Sequence, residues 1–148
     1  MYDALTVARY VINKCFEEGK PVTNLRLQKL LYFIQLESYK KNNMPLFGDD
    51  LYAWQFGPVV PDVYYEYNMY GGSPILLRYS DVSVGVLDSF LIDNVINKKK
   101  CTPIWKLVDE THEDGGPWEK TWSSCGGRGV ISKELVQLEA QKERKYAR

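Results

Sequence analysis

The sequence predicts a mainly α (α+β) fold, a compact helical domain of about five to six helices with a small β element. Apolar residues recur at helical spacing through most of the chain, whereas one segment alternates in the manner of a β-strand. A chain of 148 residues that is 45% hydrophobic is long enough to fold around one core. We therefore expect a single domain over residues 1–140, followed by a charged, frayed tail over residues 141–148.

Two helices are predicted at the N-terminus. The first begins near Ala4, behind Asp3 as its capping residue, and ends at Gly19. The second opens after Thr23, whose hydroxyl oxygen suits an N-cap. Apolar side chains cover most of the circumference of this second helix, a pattern typical of a helix at the centre of a domain.

The β element is predicted next along the chain. Residues 50–56 alternate with β-forming residues and stop at Gly57-Pro58, so we expect one clear strand there. A second strand near residues 75–77 is expected to pair with it. Pro61 suits the first turn of a helix. That helix carries four tyrosines, Tyr64, Tyr65, Tyr67 and Tyr70, which cannot all face one core.

The second half of the chain is predicted to contain three more helices. Residues 86–96 form one, and Thr102-Pro103 opens another through cap and proline signals. Pro117-Trp118 is expected to begin a short turn, and residues 126–129 are expected to be a flexible connector because they contain three glycines. Ser132 then caps the last helix.

Composition excludes several function classes. Lys plus Arg and Asp plus Glu both number 19, so no net field attracts nucleic acid or an anionic membrane. The three cysteines lack the spacing of a zinc site or a disulfide framework. No apolar run approaches the roughly 20 residues that a membrane span needs, and the N-terminus lacks a secretory signal pattern. We therefore expect a cytoplasmic protein that uses no cofactor and no metal.

Three segments carry a resemblance to a known family. The first is VTNLRLQKLLYF, from Val22 to Phe33, and the second is AWQFGPVVPDVY, from Ala53 to Tyr64. The third combines Thr111-His112 with Pro117-Trp118. In this order they resemble the Panacea (SocA-like) antitoxin domain family, and the resemblance covers nearly the whole chain.

The resemblance implies a non-enzymatic, antitoxin-like domain that binds and neutralises a protein toxin. In the SocA branch the antitoxin also acts as an adaptor that delivers its toxin to the ClpXP protease. Many relatives resemble prophage products, so a phage-encoded module that binds a host protein is the alternative. The sequence leaves the oligomeric state open.

The aromatic content of 14% points to a protein-binding surface, because Tyr and Trp provide large, stiff contact area. A rigid corner at Gly57-Pro58 is a good platform on which to present such side chains. The candidate partner-binding residues are Trp54, Tyr64, Tyr65, Tyr67, Gln28 and Lys29. The other motif residues are interpreted as structural: Leu27, Leu30, Tyr32, Gly57, Pro58, Pro61, Thr111, His112, Pro117 and Trp118.

Gln28 and Lys29 also have a purely structural interpretation. Each interrupts an apolar helix, and long polar side chains usually reach solvent or bind a nearby backbone group. In this interpretation Lys29 extends to the surface while Gln28 satisfies a backbone group. Neither residue suggests chemistry.

An enzyme remains the alternative of a different class. His112, the one histidine, is flanked by Glu110, Glu113 and Asp114, and a hydrolase would use it as a general base. That function needs a pocket around His112 and a second convergent acid or base. Ser123 to Cys125 lacks another partner base, and residues 98–100, all lysine, are a weak indication of nucleic-acid binding because such runs are usually solvated loops.

Overall fold

The computed structural model describes residues 1–146, although the side chain of Tyr146 is not included, and residues 147–148 at the end of the predicted tail lie outside this range. Seven α-helices, a short 3₁₀ helix and three strands are found in the described chain. This confirms the mainly helical α+β fold, with more helices than the five to six predicted. The elements are α1 (Ala4–Glu17), α2 (Asn24–Asn42), β1 (Leu51–Trp54), β2 (Gly57–Val59), α3 (Pro61–Glu66), the 3₁₀ helix (Asn68–Tyr70), α4 (Val86–Lys99), α5 (Ile104–Thr111), α6 (Pro117–Cys125), β3 (Val130–Ile131) and α7 (Lys133–Tyr146).

Helix α1 begins and ends as its sequence predicts. The Asp3 carboxylate accepts a hydrogen bond from the Thr6 amide at 3.0 Å, which satisfies one of the free N–H groups of the first turn. Gly19 follows the helix with φ +74°, a conformation that glycine adopts without steric cost. The apolar side of α1, including Cys15, is buried in the core.

Helix α2 is the centre of the fold. Thr23 caps it by accepting a hydrogen bond from the Arg26 amide at 3.3 Å. Thirteen of its side chains are buried, on all sides of the helix, because α1, α4, α5, α7 and the sheet pack around it. The prediction of a central helix from its all-round apolar pattern is therefore confirmed.

Several buried polar side chains of α2 hold the backbone of other segments. Burial of such a side chain is tolerated when a hydrogen-bond partner replaces water. The partners come from α3, the end of β2 and the loop after α2: Asn24 Nδ2 donates to the Tyr64 carbonyl, Gln28 Oε1 accepts from the Val60 amide, Gln35 bonds the Leu46 and Phe47 backbone, and Ser38 Oγ donates to the Met44 carbonyl.

The sheet differs from its prediction. Strand β1 lies between the other two, in the order β2-β1-β3, and both pairings are antiparallel. Gly57-Pro58 does not end the β element. The two-residue loop Gln55-Phe56 reverses the chain there, and β2 follows with Trp54 opposite Gly57. The predicted strand at residues 75–77 is wrong, because this segment is irregular and the Ile75 amide donates to the Val22 carbonyl at 2.8 Å.

The C-terminal half contains two further corrections. Pro103, not Thr102, precedes the first residue of α5, and no side chain caps this helix. Pro117 starts the nine-residue helix α6 where a short turn was expected. For α7 the prediction holds, since the Ser132 hydroxyl accepts from the Leu135 amide at 3.2 Å. The charged segment from residue 141 remains helical as far as Tyr146.

Candidate functional site

A groove of about 900 Å³ opens beside the hairpin of β1 and β2. Its floor comes from the first turns of α2, one side from the hairpin and α3, and the other side from the end of α6 and the loop that follows. We call it the aromatic groove and define it by Trp54, Tyr64, Tyr65, Trp122 and Arg128. Three of these, Trp54, Tyr64 and Tyr65, are predicted partner-binding residues that the fold brings together.

The hairpin side of the aromatic groove is a cluster of three rings. Trp54 meets Tyr64 edge to face, with ring centroids 5.2 Å apart, and lies 6.0 Å from Tyr65. Tyr65 is 57% exposed, while Trp54 and Tyr64 are half-buried. Because these rings pack on one another, their orientations are largely fixed in the free chain, which lowers the entropy cost of binding a partner.

The opposite side of the groove is formed in part by the loop at residues 126–129, which was predicted to be a flexible connector and whose last two residues are hydrogen-bonded to β1. The Arg128 amide donates to the Ala53 carbonyl at 2.7 Å, and the Ala53 amide donates to the Gly129 carbonyl at 2.8 Å. These bonds place the Arg128 guanidinium 4.6 Å from the centroid of the Trp54 ring, a cation–π distance. Sequence reasoning missed Arg128 and Trp122 as groove residues, since their proximity to Trp54 depends on β3 pairing with β1.

Lys29 does not reach the surface, so the expected solvent-exposed amine is wrong. Its side chain is 0% exposed, and its Nζ donates to the Pro58 carbonyl at 2.8 Å. Burial lowers the pKa of Lys29 to about 7. The proposed partner contact of the Lys29 amine is also excluded in this conformation, because the amine lies under the hairpin and not at the groove surface.

Gln28 has the structural role that was weighed for it. Its Oε1 accepts from the Val60 amide at 2.9 Å, and its Nε2 donates to the Asn24 side chain at 3.0 Å. Together with Lys29 it therefore satisfies the edge of β2 that faces away from β1. An edge strand covered in this way is not available to pair with another chain.

Tyr67 was predicted to face a partner, and this is wrong. The ring is 1% exposed and belongs to the core, and its hydroxyl lies 2.8 Å from the Tyr79 hydroxyl. The Tyr67 amide still donates to the Val63 carbonyl at 3.3 Å, so helical spacing places Tyr67 near the buried Val63 on the core side of α3. Of the four tyrosines, Tyr64 and Tyr65 therefore face the groove.

His112 belongs to a stack of aromatic rings beneath the groove. Its ring lies 3.7 Å from Trp118 at an angle of 12°, and Trp118 stacks in turn on Trp122. The Trp118 Nε1 donates to the Trp54 carbonyl at 2.7 Å, which links the stack to β1. Burial, and then the charge of Lys29, lowers the pKa of His112. Its buried Nε2 has no hydrogen-bond partner among the described residues.

The remaining motif residues form the frame around this stack. Gly57 has φ +115°, and a Cβ atom there would lie only 2.6 Å from the Thr111 Oγ1, so both conformation and space require glycine. Pro61 occupies the first turn of α3 without needing a partner for an amide. Leu27, Leu30, Tyr32, Pro58, Thr111, Pro117 and Trp118 are buried.

The geometry around His112 does not assemble the catalytic site that was weighed as an alternative. The negative charge of Asp109 raises the pKa of His112, but burial and the positive charge of Lys29 outweigh it. Within residues 1–146, no three His, Cys, Asp or Glu side chains are grouped so that they could hold a metal ion. Lys99 is paired with Glu110 at 2.6 Å, so the lysine run at 98–100 is partly neutralised.

None of the helices in the described part of the chain combines the length and apolar character needed to span a bilayer.

Comparisons with known proteins agree with the resemblance. The family model of the antitoxin SocA-like, Panacea domain matches residues 27–119, which include Lys29, the hairpin and His112. The chain is 32% identical over 129 residues to the antitoxin SocA of Caulobacter vibrioides, covering 79% of this chain and 69% of that protein. No solved structure is a significant match. The chain therefore belongs to the antitoxin SocA-like, Panacea domain family.

Proposed function

We propose that this chain is an antitoxin that neutralises a protein toxin by binding it directly at the aromatic groove. Family membership supports the antitoxin role. We choose this surface because Trp54, Tyr64 and Tyr65 line the groove and remain partly exposed beside the hairpin. Aromatic anchors at the centre of an interface supply most of its free energy.

Direct blocking is the mode of neutralisation that this surface favours. The groove walls are held by backbone hydrogen bonds and stacked rings before any partner arrives. A preorganised surface of this kind binds without a large ordering cost, and a bound antitoxin can cover the toxin's own working surface. In the adaptor alternative, the same complex would instead be delivered to a ClpXP-type protease.

The experiment that tests the proposal is co-expression of this chain with its neighbouring gene, which is first scored alone for growth arrest. We expect the chain to restore growth and to co-purify with the toxic neighbour. Tyr65→Ala and Trp54→Ala should each weaken the complex by about 2 kcal/mol, or roughly 30-fold in Kd, if these side chains are anchors.

Phe90→Ala is the matched control, because Phe90 is a 64% exposed aromatic side chain on α4, away from the groove. Circular dichroism and urea unfolding of each variant separate loss of binding from loss of folding. Unchanged affinity in folded Trp54→Ala and Tyr65→Ala, with weakened binding in Phe90→Ala, would move the interface to α4.

Two outcomes would change the partner or the mode of action. If the neighbour is harmless and a host protein is captured through the same side chains, the chain is a host-binding module and not an antitoxin. If the toxin disappears from cells that contain ClpXP and accumulates in cells that lack it, proteolytic delivery replaces direct blocking.

A further inference from the structure

The charge of the aromatic groove is one-sided. Among the described residues, its lining contains no Asp or Glu, although the chain as a whole carries 19 acidic residues. The cations in the lining are Lys29 and Arg128. Since the Lys29 amine is buried and bonded to the Pro58 carbonyl, Arg128 supplies the exposed positive charge of the groove.

The Arg128 side chain is exposed and has no acidic partner among the described residues. Its guanidinium carbon lies over the Trp54 ring, 4.6 Å from the ring centroid, and the side chain is exposed, so its N–H groups are available to a partner. A guanidinium held in this way can bind both oxygens of one carboxylate, a geometry that lysine cannot reproduce.

The backbone at Arg128 has a left-handed conformation, which is unusual for a residue other than glycine. Arg128 has φ +58°, directly after Gly126 at +67° and Gly127 at +106°. A residue with a Cβ atom carries a steric cost in this region, and such residues gather at functional sites. Glycine would adopt this conformation without the steric cost, yet the residue at this position is the arginine that lines the groove.

We propose that the aromatic groove receives an acidic segment of the partner protein, in which a carboxylate pairs with Arg128 and a neighbouring apolar side chain packs on Trp54 and Tyr65. This inference rests on the proposed function, since it names the chemistry of the partner at the same site. Arg128 and Trp122 lie beyond residues 27–119, so the side of the groove that reads the carboxylate is outside the region matched by the family model.

The charge pattern favours a protein segment over a nucleic acid. Binding a phosphate backbone requires several cations, and each phosphate contact steepens the salt dependence of binding. One exposed arginine and a neutral chain provide a single contact of this kind. We therefore expect the affinity for the partner to depend only weakly on salt concentration, through the screening of one ion pair.

The test uses a random displayed peptide library, selected in parallel on the unchanged protein and on two variants. The first variant, Arg128→Glu, reverses the charge. The second, Arg128→Gly, removes the guanidinium but suits φ +58°, so it should fold at least as stably as the parent chain. A Tyr65→Ala protein identifies peptides that depend on the groove.

We expect peptides from the unchanged protein to combine Asp or Glu with an aromatic or aliphatic residue. Their affinity should fall at least about tenfold in Arg128→Gly, and further in Arg128→Glu. Selected peptides that lack an acidic bias, or that bind Arg128→Glu equally well, would overturn the proposal. So would the absence of any peptide that depends on Tyr65, or Arg128-dependent binding of a single-stranded oligonucleotide.

This readout is independent of the toxin. If the neighbouring gene product is not a toxin but acidic peptides are selected as described, the proposed function fails while the chemistry of the groove stands. If the toxin binds in an Arg128-independent manner and no acidic peptide is selected, the antitoxin role stands and the carboxylate pairing fails.

Discussion

The Lys29 Nζ lies 2.8 Å from the Pro58 carbonyl oxygen, which joins the second turn of the central helix to the outer edge of the β-hairpin. This amine is completely buried, and burial lowers its pKa from 10.5 to about 7. The folded state therefore favours a neutral amine over an ammonium ion. Folding and the protonation of Lys29 are coupled.

Stability should rise with pH because of Lys29. Between about pH 7 and the ordinary lysine value of 10.5, the unfolded chain holds a proton that the folded chain has released. The free energy of unfolding should therefore increase by up to about 1.4 kcal/mol per pH unit in this window, with the full stability present only above it. Urea unfolding between about pH 7 and about pH 8 measures the slope, because above this range the Cys15 thiol, whose pKa burial raises from 9.0, contributes a change of the opposite sign.

Lys29→Met removes the titrating group and should flatten this slope, while the exposed Lys106→Met should leave it unchanged. The methionine variant also leaves the Pro58 carbonyl without its donor, so a loss of stability at high pH is expected. A slope that persists in Lys29→Met would assign the coupling to another group.

Gly57→Ala should destabilise the fold by about 2 kcal/mol or more. An alanine at φ +115° is strained, and its Cβ would lie 2.6 Å from the Thr111 Oγ1 and 3.1 Å from the Lys29 Nζ. The control is Gly72→Ala, where φ is not positive and no atom lies within 4 Å. Adding Thr111→Ala to Gly57→Ala should restore part of the loss. Equal stability of the two alanine variants would show that the hairpin relaxes freely.

The single histidine allows a direct measurement of its pKa. Burial, followed by the positive charge of Lys29, should hold the pKa of His112 below 6.5, and NMR titration of its ring protons reads this value without assignment ambiguity. Because the folded pKa is the lower one, stability should fall as pH drops below 6.5. His112→Phe keeps a ring on Trp118 and should remove this dependence. An unshifted titration curve would mean that the stack opens in solution.

Trp118→Phe should cost about 1 kcal/mol, because the Trp54 carbonyl loses the indole donor at 2.7 Å while the ring stack is largely kept. The variant should also weaken partner binding, since the same bond steadies the Trp54 end of β1. Trp105→Phe serves as the control, as Trp105 is 58% exposed. Urea unfolding and the affinity for the proposed toxin partner give the two readouts. Equal behaviour of both variants would argue against this link.

Local signals in the sequence predicted the helices well. The caps at Asp3, Thr23 and Ser132 act through side chains within three residues of the amides they bind, so sequence spacing alone reveals them. The proximity of Trp54 and Tyr64 could also be inferred from the sequence, because few residues separate the two side chains.

Some of the errors arose where the deciding contact is distant along the chain. Lys29 was expected at the surface because its acceptor, the Pro58 carbonyl, lies 29 residues away. The error at β2 is of another kind, since its partner β1 is only a two-residue loop away: the glycine and proline there have the local character of a turn, which concealed the strand. Nothing near Arg128 in the sequence indicates that its guanidinium faces Trp54.

The order of the strands affects when the groove can exist during synthesis. One side, from Trp54 to Tyr65, is made in the first half of the chain, while Arg128 and the strand that fixes it come far later. A ribosome-bound chain that has just exposed its hairpin therefore has half a binding surface. The second wall must wait until β3 has left the ribosome, so the groove is completed only late in synthesis.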